Sequence, residues 1–291
     1  MLANLLAALI ASTPLMAQAA TPPSSKEGEI VVEGLRKPNE VINSYVRSVT
    51  EASSSEPLAR YAAGEYCPTV IGLSAGRNAE IAARMRAVAA AAGVKPASAG
   101  CIPSALIFFV DDKEDFVREF RARHPIYFDH LQDEDRPALK AAGPALAWHL
   151  VQQIDPQGMP LNRDADGYKF VESSARGSNI LSMISSVVAM SVVIVERSAL
   201  VGLTATQIAD YALMRTLTDR APTPSTRVPD SLTILGALRA PIGSPVPASL
   251  TQWDLAYLKG RYSGHPARYG TSQAAAIRGN MRRALAHDVQ K

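Results

Sequence analysis

Gly72-Leu73-Ser74-Ala75-Gly76 matches GxSxG, the turn between a strand and a helix that exposes a serine nucleophile. The chemistry would be acyl transfer through Ser74, with His149 or His265 as the base. The same five residues also read as a plain helix start. Ser74 would accept a bond from a free backbone N–H, and the glycines would make the turn. Only about 50 residues lie between Ala19 and this motif, and no HGGG-like oxyanion segment lies upstream. Both points favour capping.

Asn162-Arg163-Asp164-Ala165-Asp166-Gly167 spaces its oxygens like the opening of a calcium loop. The position for a bidentate glutamate holds Ser173, with Glu172 one place early, so a polar surface turn is the simpler reading. Asp111 and Asp112 end an apolar run and open a helix, where carboxylates complement the positive end of the helix dipole. The histidines are His124, His130, His149, His265 and His287, and none forms HxxxH, HxH or HExxH. No metal site and no cofactor is expected. Trp148, Trp253, Phe108 and Phe109 read as core.

Cys67 and Cys101 are the only cysteines. No CxxC is present and no histidine lies between them, so a disulfide is the expected pairing. A loop of about 34 residues closed in this way stabilises by about 3–4 kcal/mol. The segment from Lys259 to the C-terminus is basic: Lys259, Arg261, Arg268, Arg278, Arg282, Arg283 and Lys291 face only Asp288. Arg268, Arg278, Arg282 and Arg283 could form a surface for another envelope protein or an anionic membrane. The net charge of +3 gives no case for nucleic acid.

The elements that must position these residues follow from periodicity. Residues 1–19, MLANLLAALIASTPLMAQA, are apolar and uncharged and end in Ala17-Gln18-Ala19, as in an export signal cleaved near Ala19. A retained anchor is the alternative, although the run is short for a spanning helix. The expected location is therefore periplasmic or secreted. Residues 20–28 read as a flexible leader. Strands are expected at 29–34, 67–73, 105–112, 147–153 and 185–196, and helices at 39–52, 77–92, 113–124, 204–217, 252–262 and 271–287. Thr204 with Gln207 forms a capping box. The class is α+β, with helices packed on a mixed sheet and one disulfide. Residues 29–262 form the domain, with two lobes at 29–130 and 131–262 as an alternative, and 263–291 is a basic helical tail.

From Ser185 to Tyr262 the layout resembles the late half of a zincin metalloprotease of the metzincin type. There a strand leads to a helix carrying HExxH, then a short segment, then a closing helix of the form L-x-x-x-D-x-x-x-[LI]-x-x-L-Y. Here SSVVAMSVVIVE stands as the strand, TATQIADYALMRTL as the helix and DSLTILGAL as the short segment. Leu250, Asp254, Leu258 and Tyr262 fall on the closing pattern. The resemblance implies a zinc site, and this chain lacks its residues. Asp210 and Met214 stand where the histidines would be, and Tyr211 stands at the general base. The stretch IADYALMR…LTQWDLAYLK is also similar to uncharacterised envelope proteins of Gram-negative bacteria. The expected role is binding or structural, without catalysis. A hydrolase acting through Ser74 and a peripheral membrane or assembly factor acting through the basic helix are the alternatives.

Overall fold

Half of SSVVAMSVVIVE is β-branched, and it forms an interior strand of the sheet. The computed structural model describes residues 38–128, 131, 142–164, 169–171, 178, 181–222 and 228–288. The export signal, the leader, the expected strand at 29–34, His130, and Glu172 with Ser173 lie outside the described residues.

The elements in chain order are α1 (Pro38–Val49), β1 (Pro68–Ile71), α2 (Ala75–Ala91), β2 (Ala105–Val110), α3 (Lys113–Arg123), β3 (Ala145–Ile154), β4 (Asn162–Arg163), β5 (Lys169–Phe170), β6 (Ser185–Glu196), α4 (Ala205–Leu217), α5 (Gln252–Tyr262) and α6 (Gly270–Asp288). The class is α+β. A four-stranded mixed sheet runs in the order β1-β2-β6-β3. β1, β2 and β6 are parallel, and β3 runs antiparallel along β6, with a register shift between Leu150 and Val151.

β2 reads ALIFFV without a polar break because it lies between two strands and is buried on both faces. On one side Leu106, Phe108, Leu146, Trp148, Val192 and Ile194 share a core with Phe120 of α3. This cluster draws on residues before and after 130, so that boundary does not divide two cores. Elsewhere α2 packs on β1 and on α4, and α4 also touches β6 and β3. Ile81, Met85, Val88 and Ala92 are all buried, as their helical spacing predicts.

The basic C-terminal segment is integrated into the fold. α6 packs on α5 and α1, with Ile277 and Met281 buried. Gln273 of α6 accepts from the Leu58 amide at 2.6 Å. Cys67 and Cys101 are bonded, 34 residues apart, so the bridge ties the approach to β1 to the approach to β2.

Candidate functional site

α4 carries the three positions that the resemblance places at the zinc site, so its surroundings decide what that region can do. Thr204 starts the helix through the expected capping box with Gln207. Asp210 and Met214 are fully buried, and Tyr211 is nearly so. Ten of the thirteen residues of the helix are buried, and its first turns line a surface recess with Ser74 and Arg77.

The Asp210 carboxylate is fully engaged. Arg84 of α2 donates from Nε to Oδ1 at 2.9 Å and from Nη2 to Oδ2 at 3.0 Å. Ser249 Oγ and the Leu250 amide donate to Oδ2 at 2.8 and 2.7 Å. A carboxylate clasped by a guanidinium and two further donors is neither a free base nor a free ligand. Its pair keeps Arg84 in the charged form, raising that guanidinium's pKa through the hydrogen bonds to Asp210. Met214 offers only a thioether. Tyr211 directs its hydroxyl to Arg215, which donates at 3.1 Å.

A second buried carboxylate, Asp254, organises the closing helix. It completes a capping box with Thr251 at the start of α5. It also accepts from Tyr45 Oη at 2.5 Å, Thr233 Oγ1 at 2.7 Å and the Ile234 amide at 2.9 Å. Burial raises its pKa, and these hydrogen bonds oppose the rise. The expected segment 231–238 forms two short 3-10 turns, Asp230–Leu232 and Ile234–Gly236, and Asp254 holds them against α5.

Ser74 is the N-cap of α2. It lies in relaxed extended backbone, φ −62° and ψ 150°, and its Oγ accepts from the Arg77 amide at 3.4 Å. The histidines proposed as its base are occupied elsewhere. His149 Nε2 meets the Thr216 carbonyl at 3.2 Å, and His265 Nδ1 accepts from the Ala267 amide. Burial pushes the His149 pKa down to about 4. The structure assembles no Ser–His pair from these residues.

Asp111 and Asp112 divide their work. Asp112 caps α3, accepting from the Glu114 and Asp115 amides at 2.9 and 2.8 Å. Asp111 pairs instead with Arg197, whose Nε donates to it at 2.7 Å. In the calcium-like motif, Asn162–Arg163 pairs with Lys169–Phe170 as a short antiparallel hairpin, and the element before it is the strand Ala145–Ile154 where an EF-hand has its entering helix; Ala165, Asp166 and Gly167 lie outside the described residues. Among the described residues, no cluster of three histidine, cysteine, aspartate or glutamate side chains could hold a metal ion.

The basic surface is smaller than its residue list. Arg268, Arg282 and Arg283 are exposed and Arg278 is partly so. Arg261 is buried and belongs to the interior: Nη1 and Nη2 meet Asp219 at 3.0 and 2.5 Å, and Nη2 also reaches the Ala59 carbonyl. Sequence reasoning missed this pair and the Arg84 contact. A signal existed for the latter. An aspartate inside Ile208-Ala209-Asp210-Tyr211-Ala212-Leu213-Met214 must be buried, and a buried carboxylate needs a cation or several donors.

No family model, curated protein or solved structure matches this chain.

Proposed function

We propose that the protein is an exported envelope component that acts by binding or as a structural part, on a degenerate metzincin-like layout without a catalytic centre. One observation carries this reading: the position of the first zinc histidine holds Asp210, wholly buried and neutralised by Arg84. The element order supports the layout. β6 leads to α4, the 3-10 pair follows, and α5 closes, with its Asp254 gripping the 3-10 pair. The apolar leader ending at Ala19 and the disulfide both suit a periplasmic or secreted location.

Protein purified from the periplasm without chelator tests this. It is expected to carry less than stoichiometric zinc, to cleave neither casein nor p-nitrophenyl esters, and to take no fluorophosphonate label at Ser74. N-terminal sequencing is expected to begin just after Ala19. Stoichiometric tightly held metal together with peptide or ester turnover would overturn the reading.

A second reading has its own observation. Arg268, Arg282 and Arg283 stay exposed while Ile277 and Met281 anchor their segment, as a docking surface requires. Cosedimentation with phosphatidylglycerol vesicles, lost on Arg282→Glu with Arg283→Glu, would support a peripheral membrane role. Deleting 265–291 is a poorer test, because it would strip the cover from α5.

A further inference from the structure

The two sulfurs of the Cys67–Cys101 bridge have unequal settings. Cys67 is 2% exposed, whereas Cys101 is partly open to solvent and its neighbours Gly100, Ile102 and Pro103 are exposed. Arg86 of α2 lays one nitrogen against both sulfurs: Nη2 stands 3.0 Å from Cys101 Sγ and 3.4 Å from Cys67 Sγ. Nη1 donates to the Ala97 carbonyl at 2.9 Å, which fixes the guanidinium in that place. Among the described residues Arg86 has these contacts and no carboxylate partner. A neutral disulfide is a weak acceptor and gains little from a cation. A thiolate gains much: a guanidinium beside it lowers the thiol's proton affinity and makes it a better leaving group. Arg86 therefore suits the opened bridge better than the closed one.

The chain around Cys101 has few other attachments. Ala97 donates to the Tyr66 carbonyl at 3.0 Å, and Ser104 donates to the Cys67 carbonyl at 3.1 Å. Between them, residues 98–103 make no backbone hydrogen bond to another described residue, so the bridge is their tether. The strand starts have bonds of their own. Ser104 Oγ accepts from the Cys67 amide at 2.9 Å and donates to the Glu65 carbonyl at 2.6 Å.

We propose that the bridge is an exchange-active redox site, opened at Cys101 by a dithiol reductant, and that Arg86 receives the thiolates as they leave. A thiolate of the reductant attacks Cys101 Sγ, the more open sulfur. The Cys67–Cys101 bond breaks, and its electron pair leaves on Cys67 Sγ beside Arg86. The reductant's second thiolate then attacks its own sulfur in the mixed disulfide. Cys101 leaves as a thiolate, and the reductant closes its own disulfide. The dithiol gives up two electrons and two protons, and the two cysteines take them. Opening releases residues 98–103, with Ile102 90% exposed among them, while β1 and β2 stay paired. The site is independent of α4, so its test can fail without touching the reading above.

Reduction of the folded protein by dithiothreitol at pH 7, quenched, alkylated and mapped by mass spectrometry, tests this. The bridge is expected to open in the folded state, at a rate unchanged by urea below the unfolding transition. Arg86→Gln is expected to slow opening about tenfold, and Arg86→Lys to keep most of the rate. A substitution that only weakened the fold would speed reduction, so slowing identifies the charge. Glutathione in place of dithiothreitol should leave its first adduct on Cys101. Opening that requires global unfolding, an unslowed Arg86→Gln, an Arg86→Lys as slow as Arg86→Gln, or a first adduct on Cys67 would each overturn the proposal.

Discussion

Arg84 on α2 grips both oxygens of Asp210 on α4, across 126 positions of sequence, and in doing so fastens the two helices together. The contact is unequal. The Arg84 side chain is 38% exposed and the Asp210 side chain is wholly buried. Truncating the arginine therefore strands a buried charge, whereas truncating the aspartate releases a cation that can hydrate. Arg84→Ala is expected to cost about 3–5 kcal/mol, and Asp210→Ala less. In urea denaturation the double variant should lose less than the two single losses added together.

Acidification should act through His149. The unfolded imidazole titrates near 6.5, and burial holds the folded one to about 4. Between those values the unfolded chain binds the extra proton, so stability is full above 6.5 and falls as the pH drops toward 4. The ring is half-buried, which keeps the loss to about 2 kcal/mol. Asp254, with its pKa raised by burial, contributes the opposite sign, since its penalty grows as the pH rises through its folded value. A stability-against-pH curve for His149→Leu, subtracted from that of the parent, should isolate the histidine term and be flat above 6.5.

Gly72 should be the least replaceable residue of its motif. It has φ +106°, and a Cβ there would overlap the Phe109 carbonyl oxygen of the neighbouring strand. Arg197 Nη1 bridges the Gly72 and Phe109 carbonyls at 2.9 and 3.1 Å, so the backbones cannot easily part. Gly72→Ala is expected to cost on the order of 3 kcal/mol. Ser74→Ala, which loses only a long cap bond, should cost about 0.5 kcal/mol. Chemical denaturation of both variants separates a structural turn from a catalytic one.

Reducing the disulfide should lower stability by about 3–4 kcal/mol, the chain-entropy value for a loop of this size. Arg86 lies against the bridge, with Nη2 3.0 Å from Cys101 Sγ and Nη1 donating to the Ala97 carbonyl at 2.9 Å. A double Cys67→Ala, Cys101→Ala variant should show the same loss in urea. Dithiothreitol should then leave its transition unmoved.

What the sequence disclosed depended on distance along the chain. The β6 bounds, the Thr204–Gln207 cap and the buried stripe of α2 were legible because each is written in neighbouring residues. The disulfide was legible because only two cysteines exist. Asp111 was misread. It sits beside a capping aspartate, but its partner Arg197 lies 86 residues away. Arg261 was counted with the basic surface because its periodicity does not reveal Asp219. The buried, unpaired Ser186 hydroxyl could not be seen at all. An unpaired hydroxyl is a property of the assembled neighbours, and a serine in a strand has no local mark that separates it from a solvated one.

The strand order has a bearing on how the chain reaches this state. β2 is complete by residue 110, yet its partner on one side, β6, begins only at Ser185. A chain synthesised from its N-terminus must carry ALIFFV with one edge open through some seventy-five further residues. A fragment ending before Ser185 should therefore stay open to proteases and prone to aggregate, and an export route that keeps the chain unfolded until release would suit it.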